Sequence, residues 1–224
     1  LTLYNVEING TTHSSIAQWM IRTFGSSTEL QLIDTRIIGT SGGGIAAQTS
    51  NTTISKSVFA ANNATAETGG GAINNRHSNL QINCSHFESN TVSSSGNGGA
   101  IANWDDQYSI SQVLITDSNF ISNGNGNLTP PRNSLAHNSL NPSSTFTLNG
   151  VYIDDTIDNI AVVNPQAVPV DISNCTTPDF LPLINCPADI TGLPTLITDR
   201  CSSPEQAIID KLATYGIITW AAGL

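Results

Sequence analysis

Two short motifs recur along this chain in phase with one another. Gly42-Gly43-Gly44-Ile45, Gly70-Gly71-Ala72-Ile73 and Gly98-Gly99-Ala100-Ile101 stand 28 residues apart. Each is followed by the pattern FxxN: Phe59 with Asn62, Phe87 with Asn90, Phe120 with Asn123. The second motif steps by 28 and then by 33 residues, which places five extra residues between Ile101 and Phe120. Trp104-Asp105-Asp106-Gln107-Tyr108 is the natural place for them. An apolar residue also stands five places before each Phe: Ile54, Ile82 and Ile115. Leu3 with Ile8, Ile33 with Ile38, and Leu148 with Ile153 repeat that spacing and extend the pattern outward to about six rungs.

A repeat of this length, made of β-like pieces and turns, cannot bury its own apolar residues. Stacked copies build a continuous core. The glycine clusters allow tight corners and close backbone approach. Ile73, Ile82 and Phe87 then point inward, and each lies over its counterpart about 4.8 Å away, the distance between strands. The Asn of FxxN is expected at a turn, in the left-handed conformation, bonding to neighbouring backbone. The fold expected is therefore all-β, a right-handed parallel β-helix of the pectate-lyase-like solenoid type. A leucine-rich repeat lacks its LxxLxL here. A β-sandwich does not need glycine clusters in phase, and RTX repeats need an Asp that these glycines lack.

GGAI alternating with FxxN resembles the repeat of the chlamydial polymorphic membrane proteins, over residues 42 to 123. That resemblance implies an autotransported adhesin with a β-helical passenger, whose two motifs are implicated in attachment to host cells. Similar repeats occur in other secreted β-helical proteins.

Residues 1–173 are expected to form the solenoid, with insertions at 11–27 and 124–145. Within the first insertion, SIAQWMIRTF fits a short helix or an extension of a coil. The second is a polar excursion containing Pro130-Pro131. Residues 174–224 change character and become proline-punctuated, as expected of a tail that caps the last coil or docks on a neighbouring subunit. One helix is expected there, with Ser203 as N-cap, Pro204 at the first position and Gly216 near its end.

Four cysteines, Cys84, Cys175, Cys186 and Cys201, form no CxxC pair, so a zinc ribbon or thioredoxin-like site is not indicated. Three of them fall in the tail and suit disulfides that pin it in an oxidising compartment. Six sites match N-x-S/T: Asn9, Asn51, Asn63, Asn83, Asn127 and Asn174. The wealth of Asn, Ser and Thr predicts nearly as many by chance, so they matter only in a eukaryotic secretory pathway.

The net charge of −10, with Lys+Arg 7 against Asp+Glu 17, argues against nucleic acid or an anionic membrane surface as partner. No apolar run is long enough for a membrane-spanning helix. The opening LTLYNVEING lacks the basic start and apolar run of a secretion signal and reads as mid-strand, as in a processed chain or excised fragment.

Parallel β-helices also host polysaccharide lyases, hydrolases and epimerases. A hydrolase needs carboxylates meeting on one face, and Asp154, Asp155 and Asp158 come closest, with Asp105 and Asp106 the other group. A lyase needs a base, and the middle rungs offer only Lys56, Arg76 and Arg132, none beside an acidic cluster. Either acidic group reads foremost as a solvated turn; calcium is the one ion it could hold, and no other metal or cofactor is indicated. His13, His77, His86 and His137 are dispersed and read as surface or ladder residues. A flat threonine array for binding ice would need a recurring column, and Thr52-Thr53 with Thr145 and Thr147 fall short of one. The expectation is an extracellular or cell-surface adhesin or assembly protein. It would meet protein subunits or glycans through lateral rows of Asn, Ser and Thr, as a homo-oligomer or filament, with carbohydrate-active chemistry as the alternative.

Overall fold

The computed structural model describes residues 1–11, 19–65, 69–92, 98–125, 134–153, 160–162, 170–173 and 220–221. Among these the chain is all-β, and every paired strand runs parallel to its neighbour. The strands fall into four sheets that the chain visits in a fixed order before returning to the first. The first sheet holds Ile21–Phe24, Ile45–Gln48, Ile73–Arg76, Ile101–Trp104, Leu135–Asn138 and Ile160–Val162. The second, of eight strands, includes Thr2–Tyr4, Glu29–Ile33, Asn51–Ser55, Asn79–Asn83, Gln112–Thr116 and Thr145–Asn149. Val58–Ala60, His86–Glu88 and Asn119–Ile121 belong to the third, and the two-residue strands Asn63–Ala64, Thr91–Val92 and Gly124–Asn125 form the fourth. The result is a solenoid-like stack in which each strand pairs with the equivalent strand of the next repeat.

The motif residues stand in register. Ile45 pairs with Ile73, Ile73 with Ile101, and Ile101 with Leu135. Ile54, Ile82, Ile115 and Leu148 form a second buried column, and Phe59, Phe87 and Phe120 a third. The phenyl rings of the third are nearly parallel, with centroids 4.9 Å apart for Phe59–Phe87 and 4.7 Å for Phe87–Phe120. Stacking at strand spacing follows from the parallel ladder, because identical residues in register must lie over one another.

The left-handed corners sit one residue earlier than expected. Ala61, Ser89 and Ser122, each just before the motif Asn, have φ of 53°. Asn62, Asn90 and Asn123 are instead buried and bonded to each other: Asn62 Nδ2 donates to Asn90 Oδ1 at 2.9 Å, and Asn90 Nδ2 to Asn123 Oδ1 at 2.8 Å. Each amide also donates to a backbone oxygen of the coil before it, Asn90 to Phe59 and Asn123 to Phe87, both at 2.9 Å. A buried amide needs partners on both its atoms, and a column of identical amides supplies them. Ser57, Ser85 and Ser118 build a similar ladder: each hydroxyl accepts from the backbone N–H one rung away and donates to the carbonyl two residues before it.

The glycine clusters are buried at the entry to the first sheet. Gly43 has φ +95°, and a Cβ there would lie 2.2 Å from the Trp19 ring. At Gly71 a Cβ would meet the Gly99 carbonyl oxygen at 2.3 Å and Thr91 backbone at 2.4 Å, so the coils approach too closely there for any side chain.

Three details of the repeat differ from expectation. The outer apolar pair is Leu32 and Ile37, which align with Ile54 and Phe59, while Ile33 and Ile38 are only partly buried. Both pairs have the five-residue spacing, and strand alternation decides between them. Trp104 belongs to a strand, paired with Arg76, so the five extra residues lie after it, within 105–111. The segments expected as insertions each carry a strand in register: Ile21–Phe24 pairs with Ile45–Gln48, and Leu135–Asn138 with Ile101–Trp104. At Ile21–Phe24 the helical reading gives way to the strand, because Ile21 fills the Ile45 column and Thr23 alternates with it on the inner face. Of the tail from 174 only Trp220–Ala221 is described, a strand paired in parallel with Ile172 and Ser173; the expected helix and Cys175, Cys186 and Cys201 lie outside the described residues.

Candidate functional site

The outer face of the second sheet carries a long concave surface. Five-residue strands here alternate strictly. Leu80 and Ile82 are buried while Asn79, Gln81 and Asn83 face out, and the same holds for Gln112, Leu114 and Thr145 further along. Parallel register then sorts the outward residues into columns. One runs Glu29, Asn51, Asn79, Gln112, Thr145; the next runs Thr2, Gln31, Thr53, Gln81, Leu114, Thr147. Between them they line a trough of about 630 Å³ that crosses six strands. Six strands span about 24 Å along the stacking direction, and the two columns lie about 7 Å apart. Within it Asn79 Nδ2 donates to Asn51 Oδ1 at 3.0 Å, and Thr2 Oγ1 donates to Gln31 Oε1 at 3.3 Å. Those bonds orient amides that still have free lone pairs and N–H groups facing solvent.

A second, smaller cleft of about 190 Å³ opens at the 105–111 insertion, lined by Asn74, Arg76, His77, Trp104, Asp105 and Asp106. Its two carboxylates turn to different partners. Asp105 is buried and its Oδ2 accepts from the Ser111 hydroxyl. Asp106 Oδ1 accepts from the Tyr108 N–H at 2.9 Å and Oδ2 lies 3.6 Å from His77 Nε2. The Tyr108 N–H, with the Ser109 hydroxyl, holds the Asp106 carboxyl below the ordinary carboxylate range. No hydrogen bond joins Asp105 to Asp106 among the described residues. Asp105 Oδ1, Trp104 Nε1 and Asn74 Oδ1 are buried without hydrogen-bond partners.

Behind this cleft runs a buried polar row. Asn75 Nδ2 donates to Asn103 Oδ1 at 2.7 Å, and Asn103 Nδ2 donates to His137 Nδ1 at 3.0 Å. Ser111 Oγ accepts from Asn103 Nδ2 at 3.0 Å and so links the row to Asp105. Burial drives the His137 pKa down from 6.5 to about 4 against the opposing pull of Asp105. His86 is also fully buried and lowered by burial, which outweighs its 3.4 Å contact with Glu88. Both histidines are thus neutral members of columns: His137 aligns with Asn103, and His86 with Val58 and Asn119.

The other anticipated residues are placed as follows. The motif glycines, Ile45, Ile73, Ile101, the three Phe and the three Asn are structural, all buried in the stack. Asn9, Asn63 and Asn83 are exposed and Asn51 is half-buried; Asn127 and Asn174 lie outside the described residues. Cys84 is buried, next to Val58. Asp154, Asp155 and Asp158 also lie outside the described residues. Among the described residues no group of three or more His, Cys, Asp and Glu could hold a metal ion, and no helix is long and apolar enough to cross a membrane. The trough residues Gln31, Gln81, Gln112 and Leu114 were not singled out from sequence. Their signal is the outward positions within and beside the buried pairs Leu30/Leu32, Leu80/Ile82 and Val113/Ile115, legible only once the strand register is known.

Comparison with known proteins gives no match: no family model, no curated protein and no solved structure is similar to this chain.

Proposed function

We propose that this chain is a secreted or cell-surface adhesin or structural subunit, built as a right-handed parallel β-helix, which works by binding through the trough on its second sheet. The observation that carries the reading is the pair of outward columns. They hold neutral amides and hydroxyls in register over six strands, with Glu29 the one ionisable side chain among them. Such a surface offers repeated donors and acceptors, and beside Glu29 it holds no second acidic or basic side chain to complete an acid–base pair. The resemblance to adhesin passengers points the same way. Parallel rungs can stack on further rungs of the same kind, so the reading includes assembly into a fibre or appendage. An oxidising compartment fits a pairing of Cys84 with one of Cys175, Cys186 or Cys201, which mass measurement before and after reduction would reveal.

The test uses the double variant Thr53→Arg/Gln81→Arg, which fills the trough from two exposed positions. The wild-type chain is expected to bind immobilised polysaccharides or a coating of its own copies, and to release no new reducing ends from the former. The variant should keep its circular dichroism and lose at least about tenfold in binding. Turnover of any polysaccharide, or binding unchanged in the variant, would overturn the reading in favour of a carbohydrate-active enzyme or of another face.

A further inference from the structure

We infer that the occupant of this trough is a linear, uncharged polysaccharide lying along the stacking axis, with one sugar unit facing each rung. The inference rests on the binding reading above and adds the ligand class. Three features of the trough select it.

The first is its period. Each rung from Glu29–Ile33 to Thr145–Asn149 presents one residue from each column, so an amide or hydroxyl recurs every 4.8 Å or so along the axis, with Glu29 and Leu114 the exceptions. A linear polymer of short identical units meets such a surface with one chemistry repeated. An extended peptide would seek unpaired backbone at a sheet edge, whereas here the chain's own rungs satisfy the backbone and only side chains are offered.

The second is the kind of group offered. Asn51, Asn79, Gln31, Gln81 and Gln112 each carry a donor and an acceptor, and the threonine hydroxyls carry both on one atom. Sugar hydroxyls need that combination. A protein partner would instead look for an aromatic or arginine anchor in a desolvated pocket. The trough is lined by neither aromatic side chain nor arginine; its exposed apolar groups are the aliphatic side chains of Leu1 and Leu114.

The third is charge. No Lys or Arg lines the trough, Glu29 stands at one end, and the whole chain carries −10. A uronate or sulfated polymer would be repelled at a distance and would find no cationic side chain on arrival, the Leu1 ammonium being turned onto the Glu29 carbonyl oxygen at 2.8 Å. An uncharged glycan meets neither penalty.

The proposal is tested by calorimetric titration of the intact chain with uncharged β-1,4-linked oligosaccharides of one to eight units, alongside uronate oligomers of equal length. Affinity is expected to rise about two- to tenfold with each added unit through about five units and then to level off, as hydrogen bonds accumulate rung by rung. Gln31→Ala and Gln81→Ala should each lower affinity for the five-unit ligand about two- to tenfold. Both positions are exposed, so unchanged circular dichroism is expected to confirm that each variant is folded. Absence of binding by every uncharged oligomer, affinity independent of length, or tighter binding of uronates would each overturn it. If the oligomers fail while Thr53→Arg/Gln81→Arg still abolishes binding to a coating of the chain's own copies, the trough stands as an interface and the glycan assignment falls. If the double variant changes nothing, the trough itself is ruled out.

Discussion

At the scale of single residues, many of the buried residues described are polar, and position in a column decides what each polar group can do. Asn90 has the composition of a turn residue, yet it is buried with both amide atoms bonded to neighbouring coils, while Ser89 beside it takes the left-handed φ. His137 continues the Asn75–Asn103 row and stays neutral there. Its folded pKa of about 4 lies below the ordinary 6.5, so the unfolded chain takes up a proton that the folded one refuses. His137 therefore costs nothing above pH 6.5 and removes stability as the pH falls towards 4, by about 3 kcal/mol in all. Below that the loss stays constant. His137→Asn, which restores the residue of the rungs beneath, is expected to make the fall in unfolding free energy between pH 6.5 and 4 shallower by about that amount. Urea titrations across this range would check it. His86, lowered in the same direction, remains in the variant, so a smaller slope should persist.

At the scale of elements, the strands are short, and what holds them is the column and not the strand. His86–Glu88 has three residues, and isolated it would have nothing to bury Phe87 against. Between Phe59 and Phe120 that ring is fully buried and stacked on both faces. Phe87→Ala removes both contacts and leaves a hole that two rigid coils cannot close. A loss of about 3–5 kcal/mol is expected, read from the shift in denaturation midpoint. Phe87→Leu should cost clearly less, since it keeps most of the volume. The same logic explains the slip at the outer rung. Leu32 and Ile37 share the five-residue spacing with Ile33 and Ile38, but only one pair can face inward, because neighbouring residues on a strand point to opposite sides.

At the scale of the whole molecule, stacking makes stability cumulative along one axis. A rung in the middle is held by two neighbours and a terminal strand by one. Amides of Leu80, Gln81 and Ile82, flanked by Asn51–Ser55 and Gln112–Thr116, should exchange hydrogen about a hundredfold or more slowly than those of Thr2–Tyr4. Mass-spectrometric exchange on peptides from the two regions would measure the gradient. A uniform rate would show that the chain opens as one unit. The same axis creates the trough: its outward columns exist only because successive strands superpose.

What the sequence determined by itself was the repeat. Gly70-Gly71-Ala72-Ile73 with Phe87 and Asn90, recurring in phase, demand stacked coils, because neither the glycines nor the lone apolar residues make sense within one copy. The all-β class and the buried motif columns follow from that alone. Register at the degenerate rungs was decided only in three dimensions: Leu32 against Ile33, Leu135 in place of a glycine-led Ile, Trp104 inside a strand. There the local pattern is compatible with two faces, and pairing with the next rung removes one. The candidate site belongs wholly to this second kind. Gln31, Thr53, Gln81 and Leu114 have no motif in common, and they become one surface because a parallel ladder brings residues 22 to 33 apart in the chain to strand spacing.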